Sequence, residues 1–209
     1  MSNIKIYIIH RWEGNPKADW YVWLKNQLQD MGFLANILEM PNSEKPNIKQ
    51  WTAFVREKAG EPDNNTLFIG HSVGCQAILR YLQNSKNSAL GIICVSGWFT
   101  LKELETEEEK EIARPWLDIS YIDFKKIKEN VGNLIAIFSD DDPYVPLEEN
   151  VKIFKDKLGA EIIIKQNKGH FTEDENIFKL PIVLEKISEM TGVRPTTGSH
   201  AVGESDDYK

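Results

Sequence analysis

Six short aliphatic runs alternate with helical patterns along the chain, and this alternation limits the folds that it can adopt. The runs lie at residues 4–9, 35–38, 66–69, 90–95, 134–138 and 161–165. Several are apolar at consecutive positions, as expected for strands that are covered on both faces. Helical patterns fall at about residues 17–31, 47–58, 73–83, 121–129, 147–158 and 181–190. The alternation predicts an α/β fold with a parallel sheet and right-handed crossovers.

The chain length of 209 residues fits a single domain, since domains usually contain about 100–200 residues. We assign the folded domain to residues 1–192. Residues 193–209, which include His200, are polar and offer few side chains to a core. We interpret them as a disordered or artificially appended tail.

Charge and hydropathy narrow the classes of partner and compartment. The net charge of −7 disfavours nucleic acid binding, which needs concentrated lysine and arginine. No apolar stretch approaches the ~20 residues of a membrane span, and none fits a signal peptide. The two cysteines, Cys75 and Cys94, lie in apolar surroundings and are interpreted as buried thiols. We therefore expect a cytoplasmic protein with no metal and no cofactor.

The most specific feature is the passage from a strand into Gly70-His71-Ser72-Val73-Gly74, followed by a helical pattern. In this arrangement a serine on a strained strand-to-helix turn projects above the sheet, and the flanking glycines allow strand and helix to pass closely. The amide of Val73 would then face an oxyanion beside Ser72. Two alternatives are an idle serine in a glycine-flanked turn and Cys75 as a thiol nucleophile.

A serine nucleophile needs a base, and the base needs an orienting acid. His170 follows the last apolar run, and the run at 134–138 leads into Asp140, Asp141 and Asp142. Pro143 restricts Asp142 to an extended conformation, so we favour Asp142 as the acid, with Asp141 second. The alternatives are an exposed loop histidine and three turn carboxylates that bind local amides.

Further site residues are expected at the ends of other strands. The loop after the first run contains His10, Arg11 and Trp12, and the amide of Trp12 is the candidate for the second oxyanion donor. Residues 98–118 include an acidic stretch. We predict that this segment forms a small cap over the site, and the alternative for its acidic part is a solvated helix. Candidate pocket residues are His10, Arg11, Trp98, Phe99 and Trp116, and core packing is the alternative for the three aromatic ones.

These motifs resemble the small serine hydrolases of the retinoblastoma-binding protein nine and YdeN type, in the α/β-hydrolase superfamily. The resemblance covers nearly the whole chain up to about Gly192. Its residues are Gly70-His71-Ser72-x-Gly74, Ser139-x-x-Asp142-Pro143-x-x-Pro146, Gly169-His170-Phe171, Arg114-Pro115-Trp116, Trp20 and Trp23. It implies a three-layer fold with six mostly parallel strands in the order 2-1-3-4-5-6, a small lid or none, and a triad of Ser72, Asp142 and His170. Arg11 departs from the family, which often has glycine there.

The function expected from this reading is hydrolysis of a small-molecule acyl ester through an acyl-enzyme. A thioesterase or an amidase would use the same three residues. A hydrolase scaffold without activity, which binds a protein partner, is the alternative from a different class. The sequence identifies no such partner.

Overall fold

The structure, a computed structural model, describes residues 3–102 and 104–195. Most of the predicted tail, including His200, lies outside the described residues. The strands are β1 (Lys5–Ile9), β2 (Leu34–Leu38), β3 (Thr66–His71), β4 (Ala89–Val95), β5 (Val131–Ser139) and β6 (Glu161–Lys165). The α-helices are α1 (Tyr21–Asp30), α2 (Ile48–Ala59), α3 (Val73–Leu82), α4 (Glu107–Leu117), α5 (Phe124–Glu129), α6 (Leu147–Leu158) and α7 (Pro181–Thr191). Short 3-10 helices lie at Ile119–Tyr121 and Glu173–Glu175.

The six strands form one sheet in the order β2-β1-β3-β4-β5-β6, and each of its neighbouring pairs is parallel. This confirms the predicted α/β fold and strand order. The register pairs Ile9 with Gly70, Gly70 with Cys94 and Cys94 with Ala136. The carboxyl ends of the central strands therefore meet at one edge, where α/β proteins place their sites.

Two hydrophobic clusters cover the two faces of the sheet, which explains why the strands are apolar at consecutive positions. On β1, Ile6 and Ile8 belong to the cluster under α1 and α7, whereas Tyr7 and Ile9 belong to the one that contains residues of α2, α3 and α6. Successive strand side chains point to opposite faces. In a strand that is covered by helices on both sides, every side chain therefore packs against a core.

Two helices differ from their predicted bounds for local reasons. The helix predicted from residue 17 begins at Tyr21, because Asp19 has a φ of 53°, which a helix does not accommodate. The helix predicted at 121–129 is divided, because Ile122 is extended and the Asp123 side chain caps a new start by accepting from the amide of Lys126.

The segment between β4 and α5 contains α4, into which much of the acidic stretch folds. Thr106 and Glu109 form a capping box at its start, which satisfies two amides of the first turn. Four residues of the segment border a cleft at the carboxyl edge of the sheet: Trp98, Leu101, Leu104 and Glu109. The segment thus forms one wall of the cleft. Across the described ranges, no helix combines the length and apolar character needed to cross a bilayer.

Candidate active site

Ser72 lies on a tight turn between β3 and α3. Its φ and ψ are 54° and −123°, a conformation that costs a non-glycine residue about 1–3 kcal/mol. The surrounding backbone holds it: the Ser72 amide donates to the Val95 carbonyl at 2.9 Å, and the Cys75 amide donates to the Ser72 carbonyl at 3.0 Å. The strain is thus concentrated at the residue whose hydroxyl the turn presents to the cleft.

The two glycines of the motif are required by close backbone packing. A Cβ at Gly70 would lie 2.6 Å from the Cys75 nitrogen, and one at Gly74 would lie 2.5 Å from the Ile9 carbonyl oxygen. The second contact brings the end of β1 directly against the start of α3. Cys75 itself is fully buried, with Sγ 3.6 Å from the Val95 carbonyl oxygen. It packs in the core and does not line the cleft.

Asp142 contacts His170. Its Oδ2 accepts hydrogen bonds from His170 Nδ1 and from the Ser96 hydroxyl, both at 2.8 Å. Its Oδ1 accepts from the amides of Tyr144 at 2.9 Å and Val145 at 3.0 Å. Burial acts to raise the pKa of Asp142, but the hydrogen bond and charge of His170 outweigh it, so that the pKa lies below its ordinary value. The carboxylate is therefore ionised at neutral pH and can orient the imidazole.

The neighbouring aspartates hold the loop that carries His170. Asp140 Oδ1 accepts from the Asn167 amide at 2.9 Å, and Asp141 Oδ1 accepts from the Gly169 amide at 2.8 Å. The Ser139 hydroxyl donates to Asp141 at 2.6 Å, and this bond is the main reason that the pKa of Asp141 is lowered. The three carboxylates therefore have different partners. Asp142 contacts the His170 ring, whereas Asp140 and Asp141 hold the backbone of the loop that carries His170.

The Ser72 hydroxyl accepts a hydrogen bond from the Trp98 indole, with Nε1 3.1 Å from Oγ. His170 Nδ1 donates to Asp142, which leaves Nε2 as an acceptor. Ser72 and His170 line the same cleft, but in the described part of the chain no hydrogen bond joins their side chains. Such bonds are often long without substrate and tighten in the reacting complex.

The cleft has a volume of about 230 Å³. Of the candidate pocket residues, Arg11 and Trp98 line it, as do Trp12, Leu101 and Tyr144. Its remaining lining residues are Glu13, Ser72, Leu104, Glu109, His170, Thr172, Asp174 and Glu175.

The other candidate pocket residues, His10, Phe99 and Trp116, lie elsewhere. Phe99 packs against Phe154, with ring centroids 4.9 Å apart. The Trp116 indole donates to the Pro46 carbonyl at 2.9 Å. Phe99 and Trp116 therefore pack in the core, which was the alternative to a position in the pocket wall. His10 directly follows β1 and is buried.

The two backbone amides predicted to form the oxyanion hole, those of Val73 and Trp12, have no acceptor within the described part of the chain. Val73 begins α3, where the amides of the first turn have no partner within the helix. Trp12 lies in the loop that the Gly74 contact brings to this helix start. In the described residues neither amide donates a hydrogen bond. One free N–H group thus begins the helix directly after Ser72, and the other belongs to a residue that lines the same cleft as Ser72. This is the composition of an oxyanion hole, and the helix start adds a field favourable to negative charge.

A buried polar network behind the site was not expected from the sequence. His71 Nε2 donates to the His170 carbonyl at 2.7 Å, and its Nδ1 accepts from the Tyr21 hydroxyl at 2.6 Å. The Arg11 amide donates to the same hydroxyl at 3.3 Å. Burial, followed by the charge of His170, lowers the pKa of His71 to about 3, so His71 is neutral. The network connects the loop after β1 to the loop of His170.

Three residues of the site were not identified from the sequence: Ser96, Asp19 and His71. Ser96 directly follows β4 and has a φ of 42°. Its position at the carboxyl end of a strand is the one feature of the sequence that could have indicated a place in the site. Asp19 accepts from Arg11 Nε at 2.9 Å and from the Glu173 amide at 2.9 Å. These contacts span up to 154 positions along the chain, so no local pattern reveals them.

Within the described ranges, no group of three or more histidine, cysteine, aspartate or glutamate side chains is arranged to hold a metal ion.

Comparisons with known proteins identify the family and agree with the fold. Residues 6–189 match the family described as Serine hydrolase. The chain is 33% identical to YdeN of Bacillus subtilis (strain 168) over 187 residues, which cover 88% of this chain and 94% of YdeN. It is 31% identical to Serine hydrolase RBBP9 of Rattus norvegicus over 75% of this chain and 80% of that protein. The crystal structure of the B. subtilis ydeN gene product superposes with a TM-score of 0.82 over 91% of this chain and 100% of that one. The chain belongs to the serine hydrolase family and has the α/β-hydrolase fold.

Proposed function

We propose that this protein is a carboxylesterase-type serine hydrolase that cleaves small acyl esters. The observation that carries the proposal is the 2.8 Å contact of His170 Nδ1 with an ionised, buried Asp142, beside a serine on a strained elbow. An imidazole held in this tautomer has its Nε2 free to take a proton. Family membership supports serine chemistry but leaves the bond that is cleaved open.

The reaction is acyl transfer to water in two steps. Ser72 Oγ attacks the ester carbonyl carbon while its proton passes to His170 Nε2, and the carbonyl oxygen becomes an oxyanion facing the amides of Val73 and Trp12. The intermediate collapses, the ester C–O bond breaks, and His170 gives its proton to the leaving alcohol. A water molecule then gives a proton to His170 and attacks the acyl-enzyme, which releases the acid and restores Ser72.

The size of the cleft supports a small substrate. Its volume of about 230 Å³ lies below the ~300–1,000 Å³ of typical pockets for drug-sized ligands. Trp12, Trp98, Leu101 and Tyr144 supply apolar surface along its walls. This composition suits a short acyl chain or a compact alcohol, and we expect p-nitrophenyl acetate and butyrate to be better substrates than long-chain esters.

The test is hydrolysis of p-nitrophenyl esters by the wild type, Ser72→Ala and Ser120→Ala, with fluorophosphonate labelling of all three. Ser120 is exposed and hydrogen-bonded to Asp118, so its variant controls for removal of a hydroxyl. We expect turnover and labelling to disappear in Ser72→Ala alone. Turnover by Ser72→Ala at the wild-type rate would refute the proposed nucleophile. A wild type that is neither labelled nor active would favour the scaffold without activity.

A panel of matched ester, thioester and amide substrates with the same acyl group tests the bond class. The proposal predicts the highest kcat/KM for the oxygen ester. A higher kcat/KM for the thioester or the amide would replace esterase by thioesterase or amidase while leaving the three catalytic residues unchanged.

A further inference from the structure

The peptide that joins Arg11 to Trp12 is held from its carbonyl side. The Arg11 carbonyl oxygen lies 2.8 Å from His10 Nδ1 and accepts a second hydrogen bond from the Gly14 amide at 3.1 Å. The amide of this same peptide is the Trp12 N–H, the candidate second oxyanion donor. Whatever fixes the carbonyl therefore also fixes the direction of that N–H.

The tautomer of His10 follows from its partners. The Met40 amide donates to His10 Nε2 at 3.1 Å, so Nε2 carries no proton. A neutral imidazole then has its proton on Nδ1, where it donates to the Arg11 carbonyl. His10 is 1% exposed, and burial lowers its pKa, with the Arg11 carbonyl opposing this effect. The ring is therefore a fixed, neutral donor to the Arg11 carbonyl.

A trans peptide directs its N–H and C=O to opposite sides. Because the Arg11 carbonyl points at His10 and Gly14, the Trp12 N–H points away from them. Arg11 and Trp12 line the cleft together with Ser72, whereas His10 and Gly14 do not. The Trp12 amide donates no hydrogen bond in the described structure, so it stays available to an acceptor that enters the cleft.

We infer that His10 is a positioning residue that presets the oxyanion hole by holding the Arg11–Trp12 peptide with its N–H toward the cleft. The inference rests on the proposed function and assigns His10 a role other than the pocket contact expected from the sequence. A peptide turned the other way would place a carbonyl oxygen where the oxyanion forms. His10 prevents this because its Nδ1–H holds the carbonyl on the opposite side.

Gly14 gives independent support. A Cβ at this position would lie 2.9 Å from the Arg11 carbonyl oxygen and 3.1 Å from His10 Nδ1. Any larger residue at position 14 would therefore disturb the hydrogen bond between His10 Nδ1 and the Arg11 carbonyl.

The same geometry explains why arginine is tolerated at position 11, where the family often has glycine. Arg11 does not have a positive φ, and its amide and guanidinium are held by Tyr21 and Asp19.

The test compares two amide substitutions that replace different nitrogens of the ring. His10→Asn places its side-chain amide near Nδ1 and can still donate to the Arg11 carbonyl. His10→Gln reaches the Nε2 position and can still accept from Met40, but it removes the His10 donor and leaves the carbonyl with the Gly14 amide. Trp51→Phe is the matched control, because Trp51 contacts the His10 ring and its indole donates to Pro41 instead of to the peptide.

We expect kcat/KM for p-nitrophenyl acetate to fall about 30-fold in His10→Gln, which is less than the ~10²–10³ cost of losing one oxyanion donor because the Gly14 amide still holds the carbonyl. His10→Asn should retain activity within a few fold, and Trp51→Phe should lower Tm without lowering kcat. Affinity for a trifluoromethyl ketone, which forms an oxyanion on Ser72, should fall in proportion to kcat/KM. Gly14→Ala should reproduce the loss without altering His10.

Several results would overturn the inference. Equal kcat/KM for His10→Gln and His10→Asn, activities that follow Tm instead of the donor, or an unchanged ketone affinity would each show that His10 only supports the fold. These outcomes differ from failure of the proposed function, in which the wild type itself would lack esterase activity and ketone binding.

Discussion

Replacing Asp142 by asparagine tests the proposed acid with almost no change in shape. The side chain has one oxygen facing two amides, of Tyr144 and Val145, and one facing His170 and Ser96. An asparagine turned with its NH₂ toward the amides would leave two buried donors unsatisfied, at about 1–3 kcal/mol each. The carbonyl of the asparagine will therefore face the amides, and its NH₂ will face His170.

That orientation reverses the tautomer of the base. His170 Nδ1 would then have to accept a hydrogen bond, so its proton moves to Nε2, the atom that should receive the proton of Ser72. We expect kcat to fall about 10⁴-fold, which equals roughly 5 kcal/mol in the activation barrier. Ser96 can adapt, because its hydroxyl donates or accepts.

The assay is kcat and kcat/KM for p-nitrophenyl acetate in Asp142→Asn, with Asp140→Asn as the matched control. Asp140 is exposed, and among the described residues its side chain accepts from the Asn167 amide. Asparagine keeps an oxygen that can accept from this amide, so the variant should lose roughly 1 kcal/mol or less and stay within about threefold of wild type. A drop of less than tenfold in Asp142→Asn, or an equal drop in Asp140→Asn, would refute the assignment of the acid.

Three further changes test other parts of the site. His71 stays neutral with its pKa lowered to about 3, so below pH 6.5 protons bind the unfolded chain first, and His71 should contribute about 2 kcal/mol to the fall in the free energy of unfolding from pH 7 to 5. The lowered pKa of His10 adds to the same fall, so in urea titrations His71→Gln should reduce the fall by about that amount, and a fall equal to that of the wild type would contradict the prediction. Trp98→Phe removes the indole donor to the Ser72 hydroxyl and should lower kcat/KM about fivefold, near the value of one neutral hydrogen bond. Trp116→Phe is the control, and equal kinetics for the two variants would refute the role of Trp98. Gly74→Ala places a Cβ 2.5 Å from the Ile9 carbonyl oxygen and should lower Tm and kcat together, and a wild-type Tm would show that the close approach is not needed.

The fold could be predicted from the sequence because strands that are buried on both faces are recognisable as short runs of consecutive apolar residues. Residues 67–69 are apolar without interruption and lead into Gly70 and Ser72, so strand, turn and helix could be placed together. The same parallel arrangement required Asp142 and His170 to lie at one edge of the sheet. These inferences depend on local pattern and on the rules of parallel sheets.

The remaining features depend on contacts between distant segments. Phe99 and Trp116 are aromatic residues near the site in sequence, but composition does not distinguish a pocket wall from core packing. The role of His10 depends on Met40, 30 positions away. The start of α1 was wrong by four positions because Asp19 takes a left-handed conformation while it accepts from Arg11 and Glu173.

The central claim is that the Ser72 hydroxyl becomes the acyl carrier. Rapid mixing of the wild type with p-nitrophenyl acetate, an acid quench and peptide mass spectrometry test it directly. We expect a burst of p-nitrophenol and one acetyl group on the peptide that contains Ser72, at a stoichiometry approaching one per chain. Hydrolysis that proceeds with no acetyl group on Ser72, or with the acetyl group on Cys75 or a lysine, would contradict it.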